Sequence, residues 1–581
     1  MAPITPFNAA DITEKARREL LLLLEGIRGK KNLVLEKALA GPLNLLVKFS
    51  TLQEYGVDKP FFLENDNVDS SQRNIVFLVR GEKAKTVMAV ADQIKRIRRD
   101  SEIEHEFSIF WVPRRTLTSD QLLEEAGVLG EASVSEWPLF FVPLADDVLS
   151  LELEDAVSDL YLRKDPTAIY LSAKALMLQQ QKYGLFPRII GKGDNGKRLA
   201  DLLIRMRTEV AASETSAGGG LSFLGLTPSS NIDSLIIIDR EVDFPTVLLT
   251  QLTYEGLIDE VFNISANQTE VDSSIIGGVT PQQGQTGSAS TKEIIKFTRT
   301  DIFTRSLEVQ QNIMSGADPT TQHDTITELI NRDVPLPAIL RLLCLESTTN
   351  AGIRPKDLEN FKRAIIQAYG PQHMLTLASL EKMGLLALRG GVSLGGVGAP
   401  AKPGSVTNYT PLRKSLKIWD DDVNEANPND ISYTFSGYAP LSVRLIQSII
   451  QKHTLANAIK PSTDPRASAQ ANPLAQGLRI FDDATKYVRG ATFDEAQKGE
   501  EKAVKARQLL NGSQVEKNKT VAVFFLGGVT RAEIAALRFI GNKLKESGGE
   551  GRGSRIVVCA TNIIRGEELV GSAIEKRRFR A

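Results

Sequence analysis

The segment from Leu235 to Phe262, LIIIDREVDFPTVLLTQLTYEGLIDEVF, constrains the fold more than any other part of this chain. It opens with four apolar residues, Leu235–Ile238, and such an uninterrupted run is typical of a strand buried on both faces of a parallel sheet. Three charged residues then crowd the end of the run: Asp239, Arg240 and Asp243. A proline and apolar residues at helical spacing follow, so the segment predicts a strand, a charged turn and a helix.

A second group of apolar runs, far along the chain, needs a sheet to join. Val521–Leu526 reads VAVFFL, and Ile556–Ala560 is also continuously apolar. Before these runs, Pro337–Gly499 shows mostly helical patterning. We therefore expect Val521–Leu526 to lie beside Leu235–Ile238 in one sheet, with a large helical insertion interrupting the domain.

Short apolar runs alternate with helical patterns earlier in the chain, which is typical of α/β domains. Near the N-terminus the predicted strands are Asn32–Leu35, Leu45–Val47, Phe61–Leu63, Ile75–Val79, Phe107–Trp111 and Leu139–Val142, and the predicted helices are Thr86–Arg98 and Thr118–Ala126. A second series has a helix at Ala168–Gln181, a strand at Arg188–Ile190 and a helix at Lys197–Arg207. The sequence therefore predicts two α/β domains.

Charge and cysteine usage exclude several classes of function. The net charge of −1 gives no electrostatic reason to expect nucleic acid or an anionic membrane as a partner. The apolar run Leu20–Leu24 is much shorter than the roughly 20 residues that a membrane span needs. Cys344 and Cys559 lie far apart in apolar runs and are expected to be buried thiols. No histidine and cysteine stand at the spacing of a zinc site, so we expect no metal and no cofactor.

One motif imitates a nucleotide-binding loop. Gly191–Arg198, GKGDNGKR, follows a predicted strand and matches G-x-x-x-x-G-K-[ST] except at its last position, where Arg198 cannot ligate a magnesium ion. Asp239, at the end of the apolar run, imitates the acidic residue of a Walker B strand. A P-loop-like ATPase is therefore kept as an alternative, and so is simple anion binding at Gly191–Lys197.

A second motif imitates a hydrolase. Gly391–Gly395, GVSLG, matches the nucleophile elbow G-x-S-x-G. It lies in a run rich in glycine, with no strong strand before it and no helix after it, whereas a catalytic serine needs a rigid turn. We expect no catalytic residue here and no enzyme activity in this chain.

Four separate segments resemble the SM (Sec/Munc) family, the cytosolic partners of SNARE membrane-fusion proteins. The first is IDREVDFPTVLLTQLTYEGLIDE, and the second is VAVFFLGGVTRAEIAALRFI at Val521–Ile540. Two more, DISYTFSGYAPLSVRL at Asp430–Leu445 and AYGPQHMLTLASLEKMGLL at Ala368–Leu386, are similar to the vacuolar sorting branch of that family, the SM subunit of the HOPS and CORVET tethering complexes. The resemblance runs in order from about Lys31 to Ile564.

The resemblance implies an α/β plus all-α fold: an arch of three domains, two α/β parallel-sheet domains and a large helical insertion. The domains expected from it are residues 1–145 for the first α/β domain, residues 146–245 with 520–581 for the discontinuous second one, and residues 246–519 for the helical one. In SM proteins a helix near Thr300–Arg305 leads into a long projecting hairpin that grips SNAREs. Here Arg305 and Ser306 are adjacent. Either this chain has lost the hairpin, or a break separates the two residues, with a distance between their Cα atoms well above about 3.8 Å, and we favour the break.

The function implied by the resemblance is non-enzymatic: binding SNARE proteins and templating their assembly as a subunit of a vacuolar or endosomal tethering complex. Partners would be SNAREs and a helical-solenoid subunit of HOPS and CORVET. The protein would be cytoplasmic and peripheral on the late endosome or vacuole (lysosome) membrane, held there indirectly through partners. A scaffold subunit without SNARE contact is a further alternative, because the hairpin is missing.

Local charge patterns predict structural roles. Arg240 is expected to pair with carboxylates, and Asp243 is expected to cap the helix that follows it. Thr530 and Glu533 form a capping-box pattern after the Gly527–Gly528 turn. We interpret these residues as determinants of the fold.

The segment Asn408–Trp419, NYTPLRKSLKIW, is the candidate for a protein contact, because its apolar residues follow a flexible loop and alternate with basic ones. The alternative is that these residues pack a helical core. In the vacuolar sorting branch, the SM subunit docks a helical-solenoid partner through its second domain and the helical insertion, and the resemblance implies the same contact here. By that resemblance the candidate partner-binding residues are Tyr409, Leu412, Lys414 and Leu416.

Overall fold

The computed structural model describes residues 7–65, 71–101, 103–216, 228–229, 231–271, 296–389, 406–424, 426–458, 485–496, 520–546 and 555–574. The chain divides into two compact units. The N-terminal unit comprises Asn8–Glu152 with Ile264–Gln268, and the main unit comprises Met1–Phe7, Leu153–Asn263 and Thr269–Ala581.

The N-terminal unit is built on a parallel sheet with the strand order β2-β1-β3-β4-β5. Its strands are β1 (Lys31–Leu35), β2 (Val57–Phe62), β3 (Asn74–Arg80), β4 (Glu106–Val112) and β5 (Ala132–Glu136), followed by the antiparallel pair β6 (Val142–Ala145) and β7 (Val148–Ser150). Its helices are α1 (Ala9–Glu25), α2 (Lys37–Leu46), α3 (Phe49–Glu54), α4 (Ala84–Asp100) and α5 (Leu117–Glu125).

Both faces of this sheet are covered at its centre, which explains the apolar runs of β3 and β4. Alternate residues of β3 enter two different cores: Val76 and Leu78 pack in one, and Ile75, Phe77 and Val79 pack in the other. Helices α1 to α3 contribute to the first core, and α4 and α5 contribute to the second. Helical spacing of apolar residues on one side of each helix supplies the matching faces.

The main unit contains a second sheet, whose strands in order are β10-β8-β9-β11-β12. They are β8 (Arg188–Lys192), β9 (Ile232–Asp239), β10 (Thr492–Ala496), β11 (Thr520–Leu526) and β12 (Arg555–Ala560). The pairs of β8 with β9, β9 with β11, and β11 with β12 are parallel, and β10 is antiparallel to β8. Val521–Leu526 therefore lies beside Leu235–Ile238, and this prediction is confirmed.

Helices make up most of the remainder of the main unit. They are α6 (Thr167–Tyr183), α7 (Asp194–Ser216), α8 (Phe244–Leu248), α9 (Tyr254–Phe262), α10 (Lys296–Ser315), α11 (Pro319–Asn331), α12 (Leu336–Thr349), α13 (Pro355–Tyr369), α14 (His373–Met383), α15 (Tyr409–Ser415), α16 (Leu441–Ala458), α17 (Arg531–Glu546) and α18 (Gly566–Gly571). Two parallel α/β sheets accompanied by many helices confirm the predicted fold class. The finer division of the chain into residues 1–145, 146–245 with 520–581, and 246–519 stays a prediction.

Two of the predicted strands differ from the structure, and some elements were not predicted. The predicted strand Leu45–Val47 is the end of helix α2, in which Leu39, Leu43 and Leu46 are buried at helical spacing. The predicted strand Leu139–Val142 overlaps strand β6 only at Val142, where β6 begins. Helix α1 was not predicted. The edge strand β10 (TFDEA) was not predicted either, because it buries a single apolar side chain and lacks the apolar run of a central strand.

The expected break between Arg305 and Ser306 is also wrong. Helix α10 runs from Lys296 to Ser315 and passes through both residues without interruption. Arg305 extends from this helix to Glu328 of α11, where its Nη1 atom lies 2.9 Å from each carboxylate oxygen. The motif Gly391–Gly395, which imitates a hydrolase, lies outside the described residues.

Candidate functional site

The carboxyl ends of β8, β9 and β11 meet at one edge of the second sheet, as their parallel pairing requires. The register places Leu526 of β11 opposite Asp239 of β9, and Lys192 of β8 opposite Ile238. Ligands of α/β proteins usually bind at such an edge. Its buried polar side chains are therefore the candidate site.

The carboxylate of Asp239 is fully buried and accepts hydrogen bonds from three donors. Its Oδ1 atom accepts from the hydroxyl of Tyr161 at 2.6 Å and from the backbone amide of Glu241 at 3.2 Å. Its Oδ2 atom accepts from the backbone amide of Asn195, in the first turn of α7, at 2.8 Å. Burial raises the pKa of Asp239, and these hydrogen bonds offset the rise only in part. The side chain lies where the dipole of α7 favours a negative charge.

This contact bears directly on the nucleotide hypothesis that Gly191–Arg198 raised. A phosphate at the N-terminus of α7 would need the amide that Asp239 already occupies. Gly193 has a φ of +109°, and a Cβ atom there would overlap the Asp239 side chain, so this glycine serves close packing of helix against strand. Lys197 lies 3.3 Å from Asp201 on the same helix. The motif is thus accounted for by packing.

Arg240 and Glu533 form a fully buried ion pair between β9 and α17. The Nη1 atom of Arg240 donates to both carboxylate oxygens of Glu533, at 3.0 and 2.8 Å. The Nη2 atom of Arg240 lies 3.7 Å from Asp243. Burial lowers the pKa of Arg240, but the charges of Glu533 and Asp243 outweigh it and hold the pKa above its usual value. The prediction that Arg240 pairs with carboxylates is confirmed.

The predicted capping box at the start of α17 is present. The backbone amide of Glu533 donates to Oγ1 of Thr530 at 3.1 Å, and the amide of Thr530 donates back to Oε2 of Glu533 at 2.9 Å. One carboxylate therefore caps a helix and neutralises a buried arginine. The amide of Ala532 donates to the side chain of Gln251 at 2.9 Å, so the same helix end is also tied to the chain that follows α8.

Asp243 joins α8, α15 and α16 through its two oxygen atoms. It caps α8, as predicted, by accepting from the amide of Thr246 at 3.3 Å. The hydroxyls of Tyr409 and Tyr438 donate to its Oδ1 atom at 3.1 and 3.3 Å, and the amide of Ser442 donates to Oδ2 at 2.8 Å. Burial, followed by the charge of Asp243, raises the pKa of both tyrosines well above the usual value, so both remain neutral donors.

The structure therefore changes the interpretation of the candidate partner segment. Tyr409 and Leu412 are buried, with exposed fractions of 1% and 0%, because the tyrosine hydroxyl reaches Asp243 and the leucine packs in the core. Lys414 is exposed and Leu416 is half-buried. A partner contact through this segment would have to use its outer side, where Lys414 and Leu416 lie.

Sequence reasoning did not find Tyr161, Tyr438 or Ser442 as members of this network. The side chain of Ser442 donates to Glu533, and Tyr161 donates to both Asp239 and the carbonyl of Leu526 at 3.2 Å. A signal was present, because charged residues at the end of a buried strand must find partners elsewhere in the chain. The pattern does not reveal which of the many polar residues those partners are.

The described residues contain no group of three or more His, Cys, Asp or Glu side chains placed to hold a metal ion. Both cysteines are buried, and burial raises the pKa of the Cys559 thiol to about 12 and also raises that of Cys344. Of the helices that the structure describes, none is both long and apolar enough to cross a bilayer. The polar groups at the sheet edge bind one another, so the geometry there supports a structural role.

Comparison with known proteins agrees with the four sequence segments. The model of the Sec1 family matches residues 31–286 and 289–572. Vacuolar protein sorting-associated protein 33A of Rattus norvegicus is 32% identical, and the alignment covers 98% of each protein. The vacuolar protein-sorting-associated protein 33 homolog of Arabidopsis thaliana is 29% identical, again with 98% of each covered. The alignment with the rat protein spans 647 positions, more than the 581 residues of this chain, so the relative has residues with no counterpart here.

Among solved structures, the Unc18–syntaxin 1 complex from Monosiga brevicollis is 14% identical and has a TM-score of 0.48, with 97% of this chain and 98% of that chain covered. The family model covers both sheets and most of the helical region, and the named relatives align along nearly their whole length. On this evidence the chain belongs to the Sec1 family of SM proteins, and it is similar throughout to the vacuolar protein sorting-associated proteins 33.

Proposed function

We propose that this chain is a non-enzymatic SM protein that binds SNARE proteins and templates their assembly in vesicle trafficking. The observation that carries the proposal is the family match over residues 31–286 and 289–572. A single SNARE segment is disordered and must lose conformational entropy when it zippers with its partners. A rigid protein that aligns two segments in register meets part of this cost in advance, and no covalent step is needed.

The buried network at the sheet edge suits such a role. Asp239, Arg240 and Asp243 link β9 to helices that lie far away in sequence, through Asn195, Glu533 and Ser442. A template must keep its shape while a flexible partner folds on it, and buried hydrogen bonds between distant elements help to hold a fold in one arrangement. This supports the proposal, because the charges serve the framework and are not exposed to a substrate.

We further propose that the protein is a subunit of a vacuolar or endosomal tethering complex of the HOPS or CORVET type. Support comes from relatives that are named for vacuolar protein sorting. Association with the late endosomal or vacuolar membrane would then be indirect, through partner subunits.

A scaffold subunit without SNARE contact is the second candidate function, and one observation favours it. Helix α10 continues directly through Arg305 and Ser306, at the place where SM proteins are expected to carry their projecting hairpin. A chain without that hairpin offers less surface to a SNARE helix, while it leaves other contact surfaces in place.

Binding of the full chain to SNARE-motif peptides separates the two candidates. A panel of fluorescently labelled vacuolar and endosomal SNARE motifs is titrated with the chain, and scrambled peptides of the same composition are the control. Saturable binding of at least one motif, but of no scrambled peptide, is the expected result. Binding to the solenoid subunit together with no binding to any SNARE motif would support the scaffold and reject the template.

The outer side of α15 is our proposed contact with the helical-solenoid subunit. Tyr409 and Leu412 hold this segment in place from within, and Lys414 and Leu416 lie on its accessible side. Lys414→Glu and Leu416→Ser should each weaken solenoid binding in a quantitative pull-down, whereas Lys356→Glu, at an exposed lysine of α13, should not. Unchanged binding by both the Lys414 variant and the Leu416 variant would reject this surface.

A further inference from the structure

Helix α9 faces the protein with its charged side. Asp259 is 1% exposed, and the side chain of Glu260 is 7% exposed. Gly256 is also buried, where the helix lies close against the side chain of Gln251. Helices in globular proteins normally turn an apolar stripe towards the core and keep charged residues in water. Helix α9 does the opposite.

Three arginines from three other parts of the chain hold this buried face. Arg341 of α12 binds Glu260 with two hydrogen bonds of 2.8 Å. Arg565, just before α18, donates to the backbone carbonyl of Asp259 at 2.9 Å. The Nε atom of Arg531, in α17, lies 3.5 Å from the carboxylate of Asp259. Buried charges are tolerated only when they are paired in this way, so the orientation of α9 is firmly fixed.

The outer side of the same helix is an apolar stripe. Tyr254, Leu257, Ile258 and Val261 follow the i, i+3, i+4, i+7 spacing that places side chains on one helical face. Tyr254 is 84% exposed and Val261 is 64% exposed, while Leu257 and Ile258 are half-buried. The chain alone gains nothing from exposing such a stripe, since a helix rotated the other way would bury it.

The accessible charges around the stripe are negative. The side chains of Arg341, Arg531 and Arg565 are 8%, 6% and 13% exposed, so their charges are withdrawn into the protein. The carboxylates that pair with two of these arginines are open to solvent: Glu255, the partner of Arg531, is 52% exposed, and Glu568, the partner of Arg565, is 43% exposed. Glu567, whose negative charge raises the pKa of Arg341, is exposed as well. A partner that approaches α9 therefore meets apolar side chains with an acidic rim.

We propose that the outer face of α9 docks a basic amphipathic helix of a partner protein. The backbone of α9 is already hydrogen-bonded within the helix, so the surface offers no strand edge, and its ridge of side chains fits the groove of another helix. The acidic rim complements lysine or arginine residues that flank an apolar stripe, and it repels the anionic lipids of a membrane surface. This docking surface is independent of the SNARE-templating role.

The probe for this surface is a designed peptide of about 18 residues that forms an amphipathic helix, with leucine on one face and lysine on the other. A leucine–glutamate peptide of the same pattern is its control. Fluorescence anisotropy of each labelled peptide is measured with the full chain at several salt concentrations. The lysine peptide should bind saturably and more weakly as salt is raised, and the glutamate peptide should not bind.

Variants of exposed residues then locate the binding. Tyr254→Ser with Val261→Ser should raise the Kd of the lysine peptide by about tenfold or more, as expected when anchoring side chains of an interface are removed. Val261→Lys should do the same by repulsion. The matched control is Met374→Ser with Leu375→Ser, which removes two exposed apolar side chains from α14. That variant should leave the Kd unchanged. Glu255→Gln with Glu567→Gln should raise the Kd a few-fold and flatten its salt dependence.

Four outcomes would overturn the proposal. The first is equal affinity of the two peptides, and the second is an unchanged Kd in both Val261 variants. The third is binding of phosphatidylserine vesicles that Val261→Lys alters. The fourth is a dimer of this chain, seen in sedimentation, that is lost in the Tyr254→Ser, Val261→Ser variant. Circular dichroism of each variant establishes that the fold is retained. Because both substituted side chains of the first variant are largely exposed, we expect no loss of folding.

Discussion

Arg240 and Glu533, separated by 293 residues in sequence, form an ion pair in which the Nη1 atom of Arg240 donates to both carboxylate oxygens and neither side chain is exposed to solvent. The pair joins the end of β9 to the first turn of α17. Glu533 completes the capping box with Thr530, and Arg240 also lies close to Asp243, so one contact fixes three turns at the same sheet edge. A family signature that looks like a catalytic charge cluster therefore serves the framework.

Removal of one partner of this pair should destabilise the protein strongly. Arg240→Met leaves the carboxylate of Glu533 buried without its counter-charge, and such losses are about 3–5 kcal/mol. Urea denaturation measures the effect. Arg205→Met is the matched control, because Arg205 is 70% exposed and pairs with Glu209 on the surface of α7. We expect no measurable loss there. Equal stability of Arg240→Met and the parent chain would contradict the assigned role.

The hydroxyl of Tyr161 should contribute measurably to stability. It donates to Asp239 at 2.6 Å and to the carbonyl of Leu526 at 3.2 Å. Tyr161→Phe keeps the ring but leaves a buried carboxylate short of one donor, so the free energy of unfolding should fall by about 1–3 kcal/mol. Tyr254→Phe, at a tyrosine that is 84% exposed, is the control and should have no effect. A loss of similar size in both variants would argue against a specific role of the Tyr161 hydroxyl.

Gly193 should tolerate no side chain. Its φ of +109° and the nearness of Asp239 both oppose a Cβ atom, so Gly193→Ala combines backbone strain with a steric clash. Gly127→Ala is the control, because Gly127 has a φ of +71° but no neighbouring atom within 4 Å of the added Cβ. Thermal unfolding should show a larger loss for Gly193→Ala. Equal losses would mean that packing against Asp239 does not matter.

The same geometry predicts a negative result for nucleotide binding. The amide of Asn195 at the start of α7 is already bound by Asp239, so Mg-ATP should give no saturable heat in a calorimetric titration of the full chain. Lys197→Ala should leave the titration unchanged. Micromolar binding that Lys197→Ala abolishes would instead revive the nucleotide alternative.

Lys192 should make stability depend on pH. Burial lowers the pKa of its ammonium group from 10.5 to about 8, so the unfolded chain binds more protons than the folded one between these values. The free energy of unfolding should therefore rise from pH 8 towards pH 10.5 because of this group. Lys192→Met removes that contribution. As pH rises, the free energy of unfolding of the parent chain should therefore increase relative to that of the variant. Urea denaturation at pH 7 and pH 10 checks this, with Lys197→Met as the control. If the free energies of unfolding of parent and Lys192→Met differ by the same amount at both pH values, the lowered pKa of Lys192 is contradicted.

Part of this fold could be predicted because its signals are local. Each of the runs Leu235–Ile238 and Val521–Leu526 is recognisable by itself as a buried strand, and their pairing was predictable because such a strand needs a sheet to join. The capping box of Thr530 and Glu533 needs residues only three positions apart. Such features depend on short stretches of sequence and on rules that hold in many proteins.

Other features depend on tertiary contacts that no pattern specifies. The burial of Tyr409 results from a hydroxyl that meets Asp243, 166 residues away. The second role of Glu533, as the partner of Arg240, is hidden in the same way. The inverted orientation of α9 was equally invisible, because its apolar stripe predicts a buried face, and only the positions of Arg341 and Arg531 explain why its charged side is the one that faces inward.

The rate of SNARE assembly is the quantity that a templating protein must change. Cytosolic SNARE domains labelled for energy transfer are mixed with and without the full chain, at concentrations where spontaneous assembly is slow. We expect the chain to accelerate assembly of at least one vacuolar or endosomal set, with saturation at equimolar amounts and an unchanged final extent of assembly. An unchanged rate for every set, measured with a chain shown to be folded, would rule out templating.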